Sequence, residues 1–327
     1  MRQFFTMLLM ILLLAPGATA HVLLLPENNM NIHSAAYISD PVKSWAAYSS
    51  LMPDKAQYYS FDLAKGQRIF LSLLKSTDPE DASFEPGLAL IGPGLNKKGD
   101  LPGSVEVPTG LGAVAIQGFE PAHATYEPFG PSSYLKMAEM DLKAPESGRY
   151  YAAVYAPSEG GNYSLVIGYL ESSTLAERVL APIDQISVYK WEGQSTALMF
   201  MPMFIVLLQG IIALPRRLSL AFFSVAGSLS GLFYLGTSAS LLFQIMFNLT
   251  RAPVVPEVLI SLVLAAFPWV LGAASIRISR QREIGVHGRA ALFAIGVAGL
   301  MAGAGMLIGP VLAMAASILP SQRTEIV

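Results

Sequence analysis

Ala197-Leu-Met-Phe-Met-Pro-Met-Phe-Ile-Val-Leu-Leu-Gln-Gly-Ile-Ile-Ala-Leu214 carries no charged side chain and a single amide. A helix needs a run of this length and character to cross about 30 Å of hydrocarbon. Working outward from it divides the chain. Downstream, residues 218–247, 255–276 and 290–319 repeat the apolar pattern. Together the runs predict an all-α transmembrane bundle of four helices within residues 196–320, with residues 321–327 as a short external tail. At about 1.5 Å per residue the second and fourth runs exceed what a bilayer requires. They are expected to tilt, project or break, and Pro310 is the expected break in the last.

The charges between these runs set an orientation. Arg216 and Arg217 separate the first two, and Arg277, Arg280, Arg282 and Arg289 separate the third and fourth. Loops rich in arginine stay on the cytoplasmic side, so the upstream half and the C-terminus are both expected outside. The start of the chain agrees. Arg2, an apolar stretch over residues 4–14, the pair Pro16-Gly17 and the small residues Ala18-Thr19-Ala20 form a secretory signal peptide over residues 1–20. Its apolar stretch of about 11 residues is too short to span. Cleavage after Ala20 would leave His21 as the first mature residue.

Composition supports the division. Charged residues make up 13% of the chain and hydrophobic ones 53%, against about 25% charged in a soluble domain, so part of the chain faces lipid. A net charge of −2 gives no basic face for nucleic acid. The absence of cysteine removes disulfides, thiolate metal sites and a cysteine nucleophile.

Residues 21–195 read differently. Pro, Gly, Asn and Asp punctuate short runs rich in β-formers at 44–50, 57–63, 69–74, 87–91, 113–117, 136–142, 149–155 and 162–169. Regular short strands of this kind predict an all-β sandwich in the exported half. The stretch from Pro157 to Gly161 reads as a hairpin loop between the last two. The long segment 96–131 reads as loop with one short strand.

Three stretches carry a family resemblance. They are Gln57-Tyr-Tyr-Ser-Phe-Asp-Leu-Ala-Lys-Gly-Gln-Arg-Ile-Phe-Leu-Ser-Leu-Leu74, Gly87-Leu-Ala-Leu-Ile-Gly-Pro-Gly94, and Ala144-Pro-Glu-Ser-Gly-Arg-Tyr-Tyr-Ala-Ala-Val154 with Gly161-Asn-Tyr-Ser-Leu-Val166. They resemble the bacterial pre-peptidase C-terminal domain over residues 42–168. The resemblance implies a jelly-roll-like sandwich that serves as an accessory or binding module, and some related domains bind collagen or carbohydrate. This chain departs from the usual arrangement in that a membrane region follows the module.

Candidate site residues are few. Phe119, His123, Tyr126, Phe129 and Tyr134 cluster around Glu120 and Glu127. They would form a ligand or partner surface for glycan or peptide, or else bury themselves to pack their own loop. His21, with its α-amine, could join His33 or His123 in a copper site, with Met30 as a soft ligand. No His-x-His or His-x-x-x-His spacing supports that metal. Asp78, Glu80 and Asp81 offer oxygens to calcium but lack the EF-hand pattern. Gly227 with Gly231, Gly299 with Gly303, and Gly305 with Gly309 are small-residue pairs for close helix packing, against a partner, a second copy or the same bundle. Asn162 and Asn248 head glycosylation sequons. Gln244 is the most polar side chain well inside a run, a scarcity that weighs against ion transport. There is no Gly-x-Ser-x-Gly and no phosphate-binding glycine loop. The expectation is a non-enzymatic membrane protein whose exported module belongs to a larger assembly, touching lipid and a protein partner or second copy. A copper-handling protein or a small-molecule transporter is the alternative.

Overall fold

A computed structural model describes residues 21–213, 222–281 and 284–320. The signal peptide, Arg216, Arg217, Arg282 and the tail 321–327 lie outside the described residues.

The first half is a two-sheet β-sandwich. The six-stranded sheet runs β1 (Val22–Leu24), β3 (Trp45–Leu51), β11 (Gly161–Ile167), β5 (Arg68–Ser76), β9 (Ser132–Lys143) and β8 (Thr125–Glu127). The five-stranded sheet runs β2 (Ala36–Tyr37), β4 (Ala56–Leu63), β10 (Gly148–Tyr155), β6 (Gly87–Gly92) and β7 (Gly112–Ile116). Period-2 alternation explains the core. Tyr59, Phe61 and Leu63 of β4 and Tyr150, Ala152 and Val154 of β10 point inward from one sheet. Ile69, Leu71 and Leu73 of β5 and Tyr163, Leu165 and Ile167 of β11 meet them from the other. The Tyr59 and Tyr163 hydroxyls satisfy each other at 2.8 Å across the core, as buried polar tips must.

All eight strands read from the sequence are present, most of them shifted or extended by a residue or more. Three further strands, β1, β2 and β8, are two or three residues long and lie on sheet edges. Runs that short show no alternation, and short edges limit unwanted pairing. One turn is corrected. The segment from Pro157 to Gly161 is not a hairpin loop, because β10 pairs with β4 and β6 while β11 pairs with β3 and β5. Both strands send apolar side chains into one core from opposite sheets, so the connection crosses between layers.

The long loop after β6 roofs the outer face of the five-stranded sheet. Leu101, Val105 and Leu111 pack there on Tyr58, Ala153 and Tyr155. Tyr58 pins it, donating to Ser104 O and accepting from the Glu106 N–H.

Helix α1 (Leu175–Trp191) lies inside the region read as β-sandwich. A capping box starts it: Thr174 Oγ1 accepts from the Glu177 N–H, and Glu177 accepts from the Thr174 N–H. Then come α2 (Thr196–Ala213), α3 (Phe222–Leu249) and α4 (Val258–Ser279), three helices long and apolar enough to cross a membrane. The expected fourth span is corrected. Residues 290–319 form two shorter helices, α5 (Val286–Met301) and α6 (Ile308–Ile318). Left-handed backbone at Gly303, Gly305, Met306 and Leu307 reverses the chain between them. The break therefore falls just before Pro310, which sits in the first turn of α6 where a missing N–H costs nothing.

The reversal also moves the end of α6. The Arg289 guanidinium donates to Ser317 O and Leu319 O at 2.8 and 2.9 Å, closing the hairpin. Phe223, Ile284, Leu292 and Ala316 cluster at the same end of the bundle. The opposite end of α3 and α4 meets the sandwich, through Asn248 and Ser261. Leu319 thus lies at the end remote from the β-domain, where a fourth full span would have returned it to the sandwich side.

Candidate functional site

The polar chemistry of the described residues concentrates where the sandwich meets the bundle. Four segments deliver it: the end of β5, the start of β9, the α1–α2 link and the last two turns of α3. At about 1.5 Å per residue, the 28 residues of α3 reach about 42 Å, more than a bilayer's hydrocarbon needs. The excess carries Gln244 and Asn248 up to the sandwich.

Ser133 at the start of β9 is the hub. Its backbone N–H donates to Glu192 Oε1 at 2.7 Å. Its hydroxyl donates to Asn248 Oδ1 at 2.8 Å and lies 2.9 Å from Thr77 Oγ1. Asn248 Nδ2 donates to Pro131 O and to Gln244 O. Gln194 and Gln244 bond reciprocally, amide to amide, at 2.8 Å each way. Gln194 Nε2 also donates to Glu192 Oε2 at 3.1 Å. Arg251 closes the seam by donating to the Glu192 carbonyl at 2.8 Å. Gln244, the most polar side chain well inside its run, thereby has its partner in the α1–α2 link.

Glu192 is fully buried, and no ion-pair partner lies within reach of its carboxylate among the described residues. Burial pushes its pKa up to about 8, against opposing pulls from the Ser133 N–H and the Arg251 charge. Gly193 next to it adopts φ +81°, and a Cβ there would stand 1.6 Å from Asp78 Oδ2. Only glycine fits that turn. A second contact lies at β8. The Tyr126 hydroxyl donates to Ser261 Oγ of α4 at 2.8 Å, and Ser261 donates to Pro128 O at 2.7 Å. Tyr48 of β3 meets Trp191 edge-on, ring centroids 5.1 Å apart.

The sequence-derived residues are scattered about this seam. Tyr126 is buried against Ile245, Ala252 and Val258 of the helical half. Tyr134 is half-buried on Ala46, Leu74 and Val166. Phe119 is 78% exposed and Phe129 40%, so the aromatics of this loop do not share one face. The fully buried Lys75 anchors the stretch bearing Phe119 and His123, donating to Glu120 at 2.7 Å and to Ala82 O.

His21 precedes β1, with Nδ1 2.7 Å from Ser44 Oγ. Burial lowers its pKa, partly offset by Glu171. His33 lies in the short turn before β2, on the other sheet, lining an open cleft with Tyr37, Arg149 and Tyr151. His123 is exposed in the β7–β8 loop. Met30 Sδ accepts from Gln57 Nε2. Asp78 caps the turn at Pro79–Asp81, and Asp81 accepts from the Asn162 N–H at 3.0 Å. No group of three or more His, Cys, Asp or Glu gathers closely enough to hold a metal among the described residues. Asn248 of the second sequon is buried in the seam.

The helix-packing glycines all face this chain's own residues. A Cβ at Gly227 would strike Ser279, and one at Gly231 would strike Ile276 and the Gly272 carbonyl. Gly299 and Gly305 pack on Tyr234, Gly303 on Pro182, and Gly309 near Phe233.

The fold and the seam define a β-sandwich carried on an apolar helical bundle with three membrane-length helices. Comparisons with known proteins add the following. No protein-family model matches the chain, and no curated protein matches it. Among solved structures it is similar to PliG of Salmonella Typhimurium, a periplasmic inhibitor of g-type lysozyme, at 15% identity and a TM-score of 0.24, covering 41% of this chain and 96% of that one. It is also similar to the pre-peptidase C-terminal domain of a Bacillus anthracis collagenase, at 18% identity and a TM-score of 0.23, covering 40% and 91%.

Proposed function

We propose that this chain is a non-enzymatic membrane protein that holds an extracytoplasmic β-sandwich binding module in a fixed pose over the bilayer, as a subunit or partner of a larger membrane assembly. The carrying observation is the buried seam from Thr77 through Ser133, Glu192 and Asn248 to Gln244. A module on a tether needs no such network. Buried hydrogen bonds that bridge two layers resist sliding, because separating them strands donors and acceptors away from water. A fixed pose matters when a module must face a partner beside it in the same membrane. The orientation follows from Arg277, Arg280 and Arg289 at the far end of the bundle. That end is the cytoplasmic one on charge grounds, which leaves the sandwich outside. On the same reading Leu319 falls on the cytoplasmic side, by way of the α5–α6 hairpin.

The test is affinity purification of the full chain from its native membrane in several mild detergents. The expected result is a stoichiometric membrane partner that is lost when Ser133→Ala and Asn248→Ala are combined. Recovery as a lone monomer in every detergent overturns the assembly reading.

A further inference from the structure

We propose that α1 lies flat in the outer headgroup layer of the bilayer, with the stripe Ala176, Leu180 and Ile183 inserted among lipid acyl chains. This rests on the membrane reading above and adds a second lipid contact outside the spanning helices.

Two points place the helix where the sandwich meets the bundle. Its C-terminal residue Trp191 is followed after a four-residue link by α2, a helix long and apolar enough to cross a membrane, so α1 ends beside the start of a candidate span. Nine residues earlier, Pro182 rests on Gly303 in the turn of the α5–α6 hairpin, where a Cβ on Gly303 would come within 2.8 Å of Pro182 Cγ; the same turn meets α3 at Thr237, whose hydroxyl accepts from the Gly305 N–H. A helix held near both ends against the sandwich, by Glu177 on Lys43 and Trp191 on Tyr48, and in its middle against the hairpin turn runs along the seam rather than through the bundle. Its four charged residues, Glu177, Arg178, Asp184 and Lys190, also exclude it as a span.

The faces of α1 are then accounted for. One side meets the sandwich: Glu177 pairs with Lys43 at 2.7 Å, Gln185 lies against Gly130, and Trp191 packs on Tyr48. The next meets the bundle through Pro182. The remaining side holds Ala176, Leu180 and Ile183, spaced i, i+4 and i+7 on one stripe. Leu180 and Ile183 are each 47% exposed, and Leu175 at the helix start is 61% exposed. Met201, Phe204 and Leu208 of α2, the candidate span that follows the link, are exposed in the same way. An apolar stripe beside a polar face is the pattern of an interfacial helix.

The chain has no cysteine, so single-cysteine variants can be labelled without background. Leu180→Cys and Ile183→Cys would be labelled with an environment-sensitive fluorophore and reconstituted in phosphatidylcholine vesicles whose acyl chains are brominated near the headgroup. Phe204→Cys, exposed on α2, serves as the membrane control. Val107→Cys, on the roof of the sheet away from the bundle, serves as the aqueous control. The expected result is quenching at both α1 positions several-fold above Val107. Quenching at Phe204 with α1 at the Val107 level overturns the inference and leaves the membrane reading standing. No quenching at Phe204 overturns the membrane reading itself. Disulfide-linked dimers through Leu180→Cys with no quenching there assign the stripe to a second copy and overturn the lipid assignment.

Discussion

Glu192 shows how much one residue of the boundary does. In the sequence it is only the last acid before a membrane run, in Lys190-Trp-Glu192. In the fold its carboxyl group faces the Ser133 N–H, the Gln194 amide, the Arg251 guanidinium and the tyrosines Tyr48 and Tyr189. Folding raises its pKa from 4.5 to about 8. The protonated form is thus favoured by the folded seam. Its contribution is complete below pH 4.5 and is lost progressively as pH rises to about 8. The wild-type Tm in detergent should fall across that window, by on the order of 1 kcal/mol of stability per pH unit. Glu192→Gln should flatten the slope whatever its effect on the absolute Tm. An unchanged slope would remove Glu192 as its source. Gly193 makes a companion case. Gly193→Ala must place a methyl group in left-handed backbone against Asp78, at a cost on the order of 1–3 kcal/mol, read by thermal unfolding. Neither constraint is visible in sequence, because Ser133 and Asp78 are remote along the chain.

At the scale of elements, legibility tracked periodicity. Strands of five residues or more carried enough alternation to be placed, and β1, β2 and β8 did not. Helix α1 was hidden because its charges and Pro182 broke the apolar pattern. Its start was nonetheless written in Thr174 and Glu177, the two ends of a capping box. The α5–α6 hairpin misled for the opposite reason. Hydropathy stays high through residues 302–307, and a moving average does not register a change of direction. The glycine pairs were the clue, since Gly303 and Gly305 serve the reversal and Gly299 and Gly309 the packing of its two arms. Gly305→Val should therefore act as a turn mutation. It forces a β-branched residue to φ +77° beside Pro310 and Tyr234, and should destabilise the bundle by about 1–3 kcal/mol. Thermal unfolding in detergent measures it, and a loss no larger than for Gly285→Val, where a Cβ meets nothing within 4 Å, would contradict the hairpin.

For the whole molecule, the proposed number of crossings rests on the arginine pattern and the hairpin together. An even number of full spans puts the chain end on the sandwich side, whereas three spans and a hairpin put it on the far side. The charge argument alone could not separate these, because it fixes where Arg277, Arg280 and Arg289 sit but not how the chain leaves them. The bond from Arg289 to Leu319 O folds α6 back along α5 and so supports the proposed three-span arrangement. Cysteine scanning reads the difference directly. Gln281 at the α4–α5 link and Pro320 after α6 are both exposed, and Val107 marks the sandwich. In sealed vesicles of known orientation, a membrane-impermeant maleimide should label Val107→Cys from one side. Gln281→Cys and Pro320→Cys should be labelled only from the other, or after permeabilisation. Labelling of Pro320→Cys together with Val107→Cys would restore a fourth crossing and refute the hairpin. Labelling of Gln281→Cys from the Val107 side would instead invert the bundle, contradicting the arginine rule while leaving the hairpin intact.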